Sequence, residues 1–194
     1  MTQNKPNQNQ KDSELRKKKE QDGQKEHQLN LLLNMFDELA VSKDYQRRGY
    51  LLQDLLKQLF LINEIPVTKS FQRNEGGEQI DGAFLFQGWH YLIECKWTKK
   101  LADIRELDSL LGKVNRSGKQ AMGLLLSIDG WSENVPLLLK QNPEKCILLM
   151  EGYDLRCVLR GAVDLTRLLN AKITKLNLEA EPFFSVVEVM KWNL

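Results

Sequence analysis

Asp81, Glu94 and Lys96 have the types and spacing to act together on a metal ion and a phosphate. Gln79 to Phe86 and Trp89 to Lys96 both read in β register, and Gln87-Gly88 between them is a two-residue hairpin signal. With those two residues in the turn, Phe86 pairs with Trp89, and counting outward places Asp81 opposite Glu94. Opposed residues share a face, with Cβ atoms roughly 4.5–5.5 Å apart. Lys96 stands two residues further along that face, while Trp89, Tyr91, Ile93, Cys95 and Trp97 alternate onto the other, which should be the buried one. Facing carboxylates repel, and a divalent cation is a natural compensation: Mg²⁺ is commonly held by one or two carboxylates with waters and phosphate oxygens. Lys96 would then orient or deprotonate a water, or stabilise charge developing on a phosphate. The reaction class that fits is phosphodiester hydrolysis, with one cation polarising the phosphate and a second, if present, stabilising the leaving oxygen. The same residues also fit a surface salt-bridge face in which Lys96 simply neutralises both acids. A three-residue turn would slip the register by one and put the two acids on opposite faces.

The elements that must position these residues follow from periodicity. Residues 29–42 carry Leu29, Leu32, Leu33, Phe36 and Leu39 at helical spacing. A second helix is expected from Tyr45 to Leu61, with Leu52, Leu55, Leu56, Leu59 and Phe60 as its apolar stripe. Arg73 to Gly77 is polar and Gly-rich and reads as a loop. After the hairpin, helical spacing returns from Leu101 to Val114, and Ala121 to Ile128 is a short, continuously apolar run, as a buried strand should be. A helix from Ser132, a strand from Cys146 to Met150, a shorter strand over Leu155 to Leu159 and a helix from Asp164 to Lys172 follow. Phe183 to Trp192 is ambiguous between strand and helix. The order describes an α/β fold: a mixed sheet with an antiparallel hairpin and a parallel crossover, flanked by helices.

These residues also carry a family resemblance. Gln79-Ile80-Asp81-Gly82 followed by Ile93-Glu94-Cys95-Lys96-Trp97 resembles the PD-(D/E)xK nuclease signature, and more narrowly the Mrr-like domain of type IV restriction endonucleases. Arg48 to Leu56 is similar to that family's first core helix, and Gly123 to Ser127 with Gly130-Trp131-Ser132 to its later strand and helix start. The similarity covers about residues 47–172. It implies a restriction-endonuclease-like fold and a Mg²⁺- or Mn²⁺-dependent DNA endonuclease, with Asp81 and Glu94 as metal ligands and Lys96 as the catalytic lysine. The family's usual acid on the first helix is matched here by Gln53, an amide without charge. Asp54 is adjacent, but one residue turns it about 100° around the helix, away from the site. The departure at Gln53 sets a second expectation beside cleavage: a weak or inactive nuclease-fold subunit that binds DNA or supports a larger complex.

The net charge of +2 resides in residues 1–28, where seven Lys and Arg face five acids, so residues 29–194 balance. That segment, rich in Gln, Asn, Lys and Glu, lacks the apolar surface to offset ordering and is expected as a disordered tail ahead of a nuclease domain at 29–194. Its Arg16-Lys17-Lys18-Lys19 run could touch nucleic acid or simply be solvated. Lys99, Lys100, Lys113, Arg116 and Lys119, with Arg47 and Arg48, could hold DNA phosphates, though each could equally cover an exposed helix face. Cys95, Cys146 and Cys157 lack zinc-like spacing and read as reduced thiols of a cytoplasmic protein. No run is long enough for a membrane span. His90 lies too far along the strand for a metal ligand, and Ser127 has no partners for a nucleophile. With no separate specificity module visible, cleavage of both strands and target choice call for a homodimer or a partner subunit.

Overall fold

The computed structural model describes residues 8–73, 77–142 and 146–192. Positions 74–76 of the expected loop and 1–7 of the expected tail lie outside the described residues.

Helix α1 (Gln8–Val41) packs on α2 (Tyr45–Ile62), which Asp44 caps by accepting from the Arg47 N–H at 3.0 Å. Helix α1 begins far upstream of the expected start. Residues 13–28 are mostly exposed, so this stretch is helical without being buried: Gln, Lys and Glu are good helix formers and no proline interrupts them. Lys25 also reaches Asp164 at 2.9 Å, tying its lower half to the body.

Strands β1 (Val67–Thr68) and β2 (Phe71–Arg73) precede β3 (Glu78–Ile80) and β4 (Gly82–Phe86), and β5 (Trp89–Lys96) closes the hairpin. The turn falls at Gln87-Gly88, both with positive φ (50° and 80°), and Phe86 pairs with Trp89 as counted from sequence. The single strand expected over Gln79 to Phe86 is instead two. It breaks at Asp81: β4 pairs with β5 only as far as Gly82↔Ile93, and β3 turns away to pair with β2.

Helix α3 (Ile104–Asn115) starts at a capping box of Asp103 and Glu106 and crosses over to β6 (Ala121–Ser127), parallel to β5. Helix α4 (Asn134–Gln141) leads to β7 (Ile147–Glu151), parallel to β6. The five-stranded sheet has the order β1-β4-β5-β6-β7, antiparallel in front and parallel behind. Leu155 to Leu159, expected as a strand, belongs to helix α5 (Gly152–Leu159). A five-residue run cannot distinguish the two by period, and the Glu151–Asp154 capping box decides for helix. Helices α6 (Leu165–Glu179) and α7 (Val186–Lys191) complete the chain, α7 resolving the ambiguous C-terminal run.

Both sheet faces are covered. Tyr91, Ile93, Leu124, Leu126, Leu148 and Met150 face α1, α2 and α5 to α7. Leu92, Leu125, Ile147 and Leu149 face α3 and α4. The expectation of one buried face therefore understates the core, and Trp89, assigned to the buried side, is 40% exposed because it sits at the hairpin tip. Gly123 lets α3 approach closely: a Cβ there would meet Leu110 and Ile147 side-chain atoms at 3.1 Å. Among the described residues no helix is long and apolar enough to cross a membrane.

Candidate functional site

The break at Asp81 builds the site. Freed from the ladder, the Asp81 carboxylate reaches the edge of β5, where one oxygen accepts from the Cys95 N–H at 2.9 Å. Among the described residues its other oxygen makes no hydrogen bond. The expected cross-strand pair of acids is thus replaced by a carboxylate at the strand end and a second carboxylate, Glu94, on the face covered by α3. They remain within electrostatic reach. Burial, then the negative charge of Glu94, raises the Asp81 carboxyl above its ordinary value, against the lowering effects of the Cys95 N–H, Lys113 and Lys96.

Glu94 is buried and held by two ammonium groups. Lys96 stands 3.2 Å from Oε1, as residues two apart on one strand allow, and Lys113 of α3 stands 2.6 Å from Oε2. The Lys96 side chain is 30% exposed and that of Lys113 only 12%. Burial, followed by the charges of Asp81 and Glu94, pushes the Cys95 thiol well above its usual range, leaving it a protonated packing residue.

Gln53 of α2 lines a small cleft with Asp81, Cys95, Lys57 and Lys69. Asp54 lines the same cleft, although its position on the helix suggested that it would turn away. The cleft is bordered by the middle of α2, with Gln53, Asp54, Leu56 and Lys57 all on its lining, so it takes in more of the helix surface than the single face on which Gln53 lies.

The expected phosphate-contacting cations divide. Arg47, Lys99 and Lys100 are exposed, and Lys99 lies over the Tyr45 ring at 5.6 Å, which brings the start of α2 beside the segment after β5. Arg48 is buried, between the rings of Tyr45 (4.6 Å) and Trp97 (4.8 Å), and donates to the Trp97 carbonyl at 3.0 Å. It packs the end of β5 and is not a free surface cation. Lys113 faces Glu94 and Arg116 pairs with Glu78, so neither is an unengaged surface cation either. Lys119 precedes β6, whose Ala121 pairs with His90, whereas Ser127 at the far end pairs with Lys96. A strand's length, roughly 20 Å at 3.3 Å per residue, separates it from the acids.

Sequence reasoning missed the place of Lys113 at Glu94. A signal was present: Lys113 follows Leu110 by three and precedes Val114, so it borders the apolar stripe of α3 rather than its solvent face. The paired arginines at Glu78 were missed because they depend on the β2–β3 pairing.

Among the described residues Cys95 and Cys157 form no disulfide, Cys157 buried and Cys95 half-buried. Trp97 stacks on Phe36 (5.0 Å) and Trp131 meets Phe183 edge-on (4.8 Å), so both pack rather than present open stacking surfaces. Ser127 donates its hydroxyl to the Gly130 carbonyl at 2.5 Å. Among the described residues no cluster of three or more His, Cys, Asp or Glu is placed to hold a metal ion.

No family model and no curated protein sequence matches the chain. Among solved structures it is similar to the small subunit (R.BspD6I2) of the heterodimeric restriction endonuclease R.BspD6I, at 14% identity over 83% of this chain and 94% of that one, with a TM-score of 0.48. It is also similar to a protein of unknown function, AF1548 (14% identity, 64% of this chain and 76% of that one, TM-score 0.48). A third is the DNA modification-dependent restriction endonuclease AspBHI (13% identity, 80% of this chain and 40% of that one, TM-score 0.46). Likeness at this level assigns no chemistry to the residues of this chain.

Proposed function

We propose that the chain is a divalent-metal-dependent nuclease of the PD-(D/E)xK type that hydrolyses phosphodiester bonds in DNA, working in restriction or another form of genome defence. Asp81 and Glu94 are the metal ligands and Lys96 the catalytic lysine. One observation carries this reading: at the point where β4 and β5 part, an aspartate with one oxygen unbonded among the described residues lies within electrostatic reach of a buried glutamate paired with a half-exposed lysine.

The donor set fits a hard cation, since both candidate ligands are carboxylates and Asp81 keeps one oxygen without a hydrogen bond among the described residues. A bound Mg²⁺ or Mn²⁺ supplies the charge that polarises a scissile phosphate and makes a bound water more acidic. The chain's own residues do the rest. Lys96, paired with Glu94 at 3.2 Å, can swing its ammonium to a phosphate oxygen or hold the attacking water, because nearly a third of its side chain is open to solvent. Exposed Arg47, Lys99 and Lys100 supply sequence-independent contacts to the DNA backbone. Gln53 offers an amide oxygen at the same cleft without adding charge. Cutting both strands calls for a second copy or a partner subunit.

The test is cleavage of plasmid DNA with Mg²⁺ or Mn²⁺, comparing the full chain with Glu94→Ala and Lys96→Ala. Metal-dependent nicking or linearisation, lost in both variants, is the expected result. DNA binding without cleavage of modified or unmodified plasmid would replace this reading with that of a non-catalytic DNA-binding subunit, and cleavage of RNA alone would overturn the substrate.

A further inference from the structure

We propose that Lys113 is a resident counterion that neutralises Glu94 and holds divalent-metal affinity down until a phosphodiester enters the site. The inference rests on the metal-centre reading above and goes beyond it by assigning a regulating role to a residue outside the Asp81, Glu94 and Lys96 set.

In their ionised forms Asp81 and Glu94 bring two negative charges and Lys96 and Lys113 two positive ones, so these four groups balance with no metal present. A divalent cation alone would leave it at +2 in a largely buried setting, where like charges interact strongly. A phosphodiester and a hydroxide-like nucleophile would bring two negative charges and restore the balance. Metal alone is therefore disfavoured, and metal together with substrate is not.

Geometry gives Lys113 this role rather than Lys96. The Lys113 ammonium makes the shorter contact, 2.6 Å against 3.2 Å, and its side chain is the more enclosed, 12% exposed against 30%. Its backbone is also fixed. Leu110 and Val114 on either side are buried against the sheet, and the Lys113 carbonyl accepts from the Ser117 hydroxyl at 2.8 Å and from the Arg73 guanidinium. Among the described residues Glu94 is the one hydrogen-bond partner of its ammonium. Lys96 can leave Glu94 for solvent or a phosphate; Lys113 has nowhere comparable to go.

The experiment is calorimetric titration of Mn²⁺ into the full chain without DNA, for the native protein, Lys113→Met and Lys113→Gln, each with and without Asp81→Asn. The glutamine variant keeps a hydrogen-bond donor to Glu94 if the methionine variant folds poorly. The expected result is Mn²⁺ binding tighter by roughly tenfold to a hundredfold once the Lys113 charge is gone, and lost again with Asp81→Asn. A thermal melt with and without Mn²⁺ should show a larger metal-induced rise in Tm for the Lys113 variants. If the native protein binds Mn²⁺ through Asp81 and the Lys113 variants bind equally or more weakly, the counterion role falls and the metal centre stands. If neither the native chain nor the variants show Asp81-dependent binding, both readings fall.

Discussion

Two carboxylates in this molecule have nearly the same surroundings and opposite characters. Glu78 and Glu94 are both buried (8% and 7% exposed), and each meets one cation from a strand and one from the end of α3. For Glu78 the cations are arginines, Arg73 and Arg116; for Glu94 they are lysines, Lys96 and Lys113. The Arg73 guanidinium also donates to the Ser117 hydroxyl at 2.8 Å and to the Lys113 carbonyl, so its fork ties the β2–β3 hairpin to α3. Such a fork is always charged and satisfies several acceptors at once, which makes a clamp. The lysines at Glu94 are compact point charges with no second acceptor among the described residues, and a second carboxylate, Asp81, lies close by. The Lys96 charge there can move away from Glu94, as the proposed metal centre requires, while Lys113 stays in place. Among the described residues, equal burial and a like pair of cations thus do not make equal roles; the type of cation and the neighbouring acid do.

The largest expected effect comes from a lysine that is held as firmly as an arginine fork because all its donors are engaged, the ion pair of Lys172 and Asp154 at 2.8 Å, both fully buried. Burial lowers the Lys172 ammonium from its ordinary value, while Asp154 opposes the shift. Lys172 also donates to the Leu149 and Phe184 carbonyls, so every donor is used and α6 is fastened to β7 and the segment before α7. Lys172→Ala leaves Asp154 buried without its cation and should cost about 3–5 kcal/mol in urea unfolding. A cost near zero would remove the clamp class as described.

Glu78→Gln and Glu94→Gln then test the comparison directly. Glu94→Gln should lower metal-dependent cleavage by roughly 10²-fold or more, whereas Glu78→Gln should leave it within a few-fold and lower stability instead. Comparable loss of cleavage in both would break the distinction. The stability effect has a defined pH dependence. The hydrogen bond from the Arg116 guanidinium, with Arg73 assisting, holds the Glu78 carboxyl below its ordinary 4.5. A lowered folded-state value contributes stability above the ordinary carboxylate range, and that contribution is lost as pH falls through the folded value. The gap between native protein and Glu78→Gln should therefore be full at neutral pH and shrink below about pH 4.5, read by urea titrations at a series of pH values.

The smallest expected effect is a gain. Gln53→Glu adds a third carboxylate to the Asp81 cleft and should tighten Mn²⁺ binding by roughly tenfold, since ligand charge count tunes affinity for hard cations. No change would place Gln53 outside the reach of the proposed metal, with Asp81, Glu94 and the neighbouring Asp54 as the remaining candidate acids.

Much of the scaffold was legible in the residues. The apolar stripe of α2, the Gln87-Gly88 turn with its register, the buried run of β6 and its crossover from β5 rest on local period and turn chemistry, which act within a few residues. The helical state of Leu155 to Leu159 was not, because the deciding contacts lie at its start. There Gly152 packs so tightly that a Cβ would meet the Ile128 carbonyl oxygen at 2.5 Å.

The sequence by itself determined that Asp81, Glu94 and Lys96 would come to one end of one hairpin, because a two-residue turn and a period of two leave little freedom over so short a span. Only the tertiary structure decided how they meet. Strand β3 pairs with β2 rather than continuing along β5, so Asp81 leaves the ladder and binds the Cys95 N–H, and α3 lays Lys113 across Glu94. Those outcomes depend on partners distant along the chain, and such pairings are selected by the packing of whole elements, which no local pattern encodes.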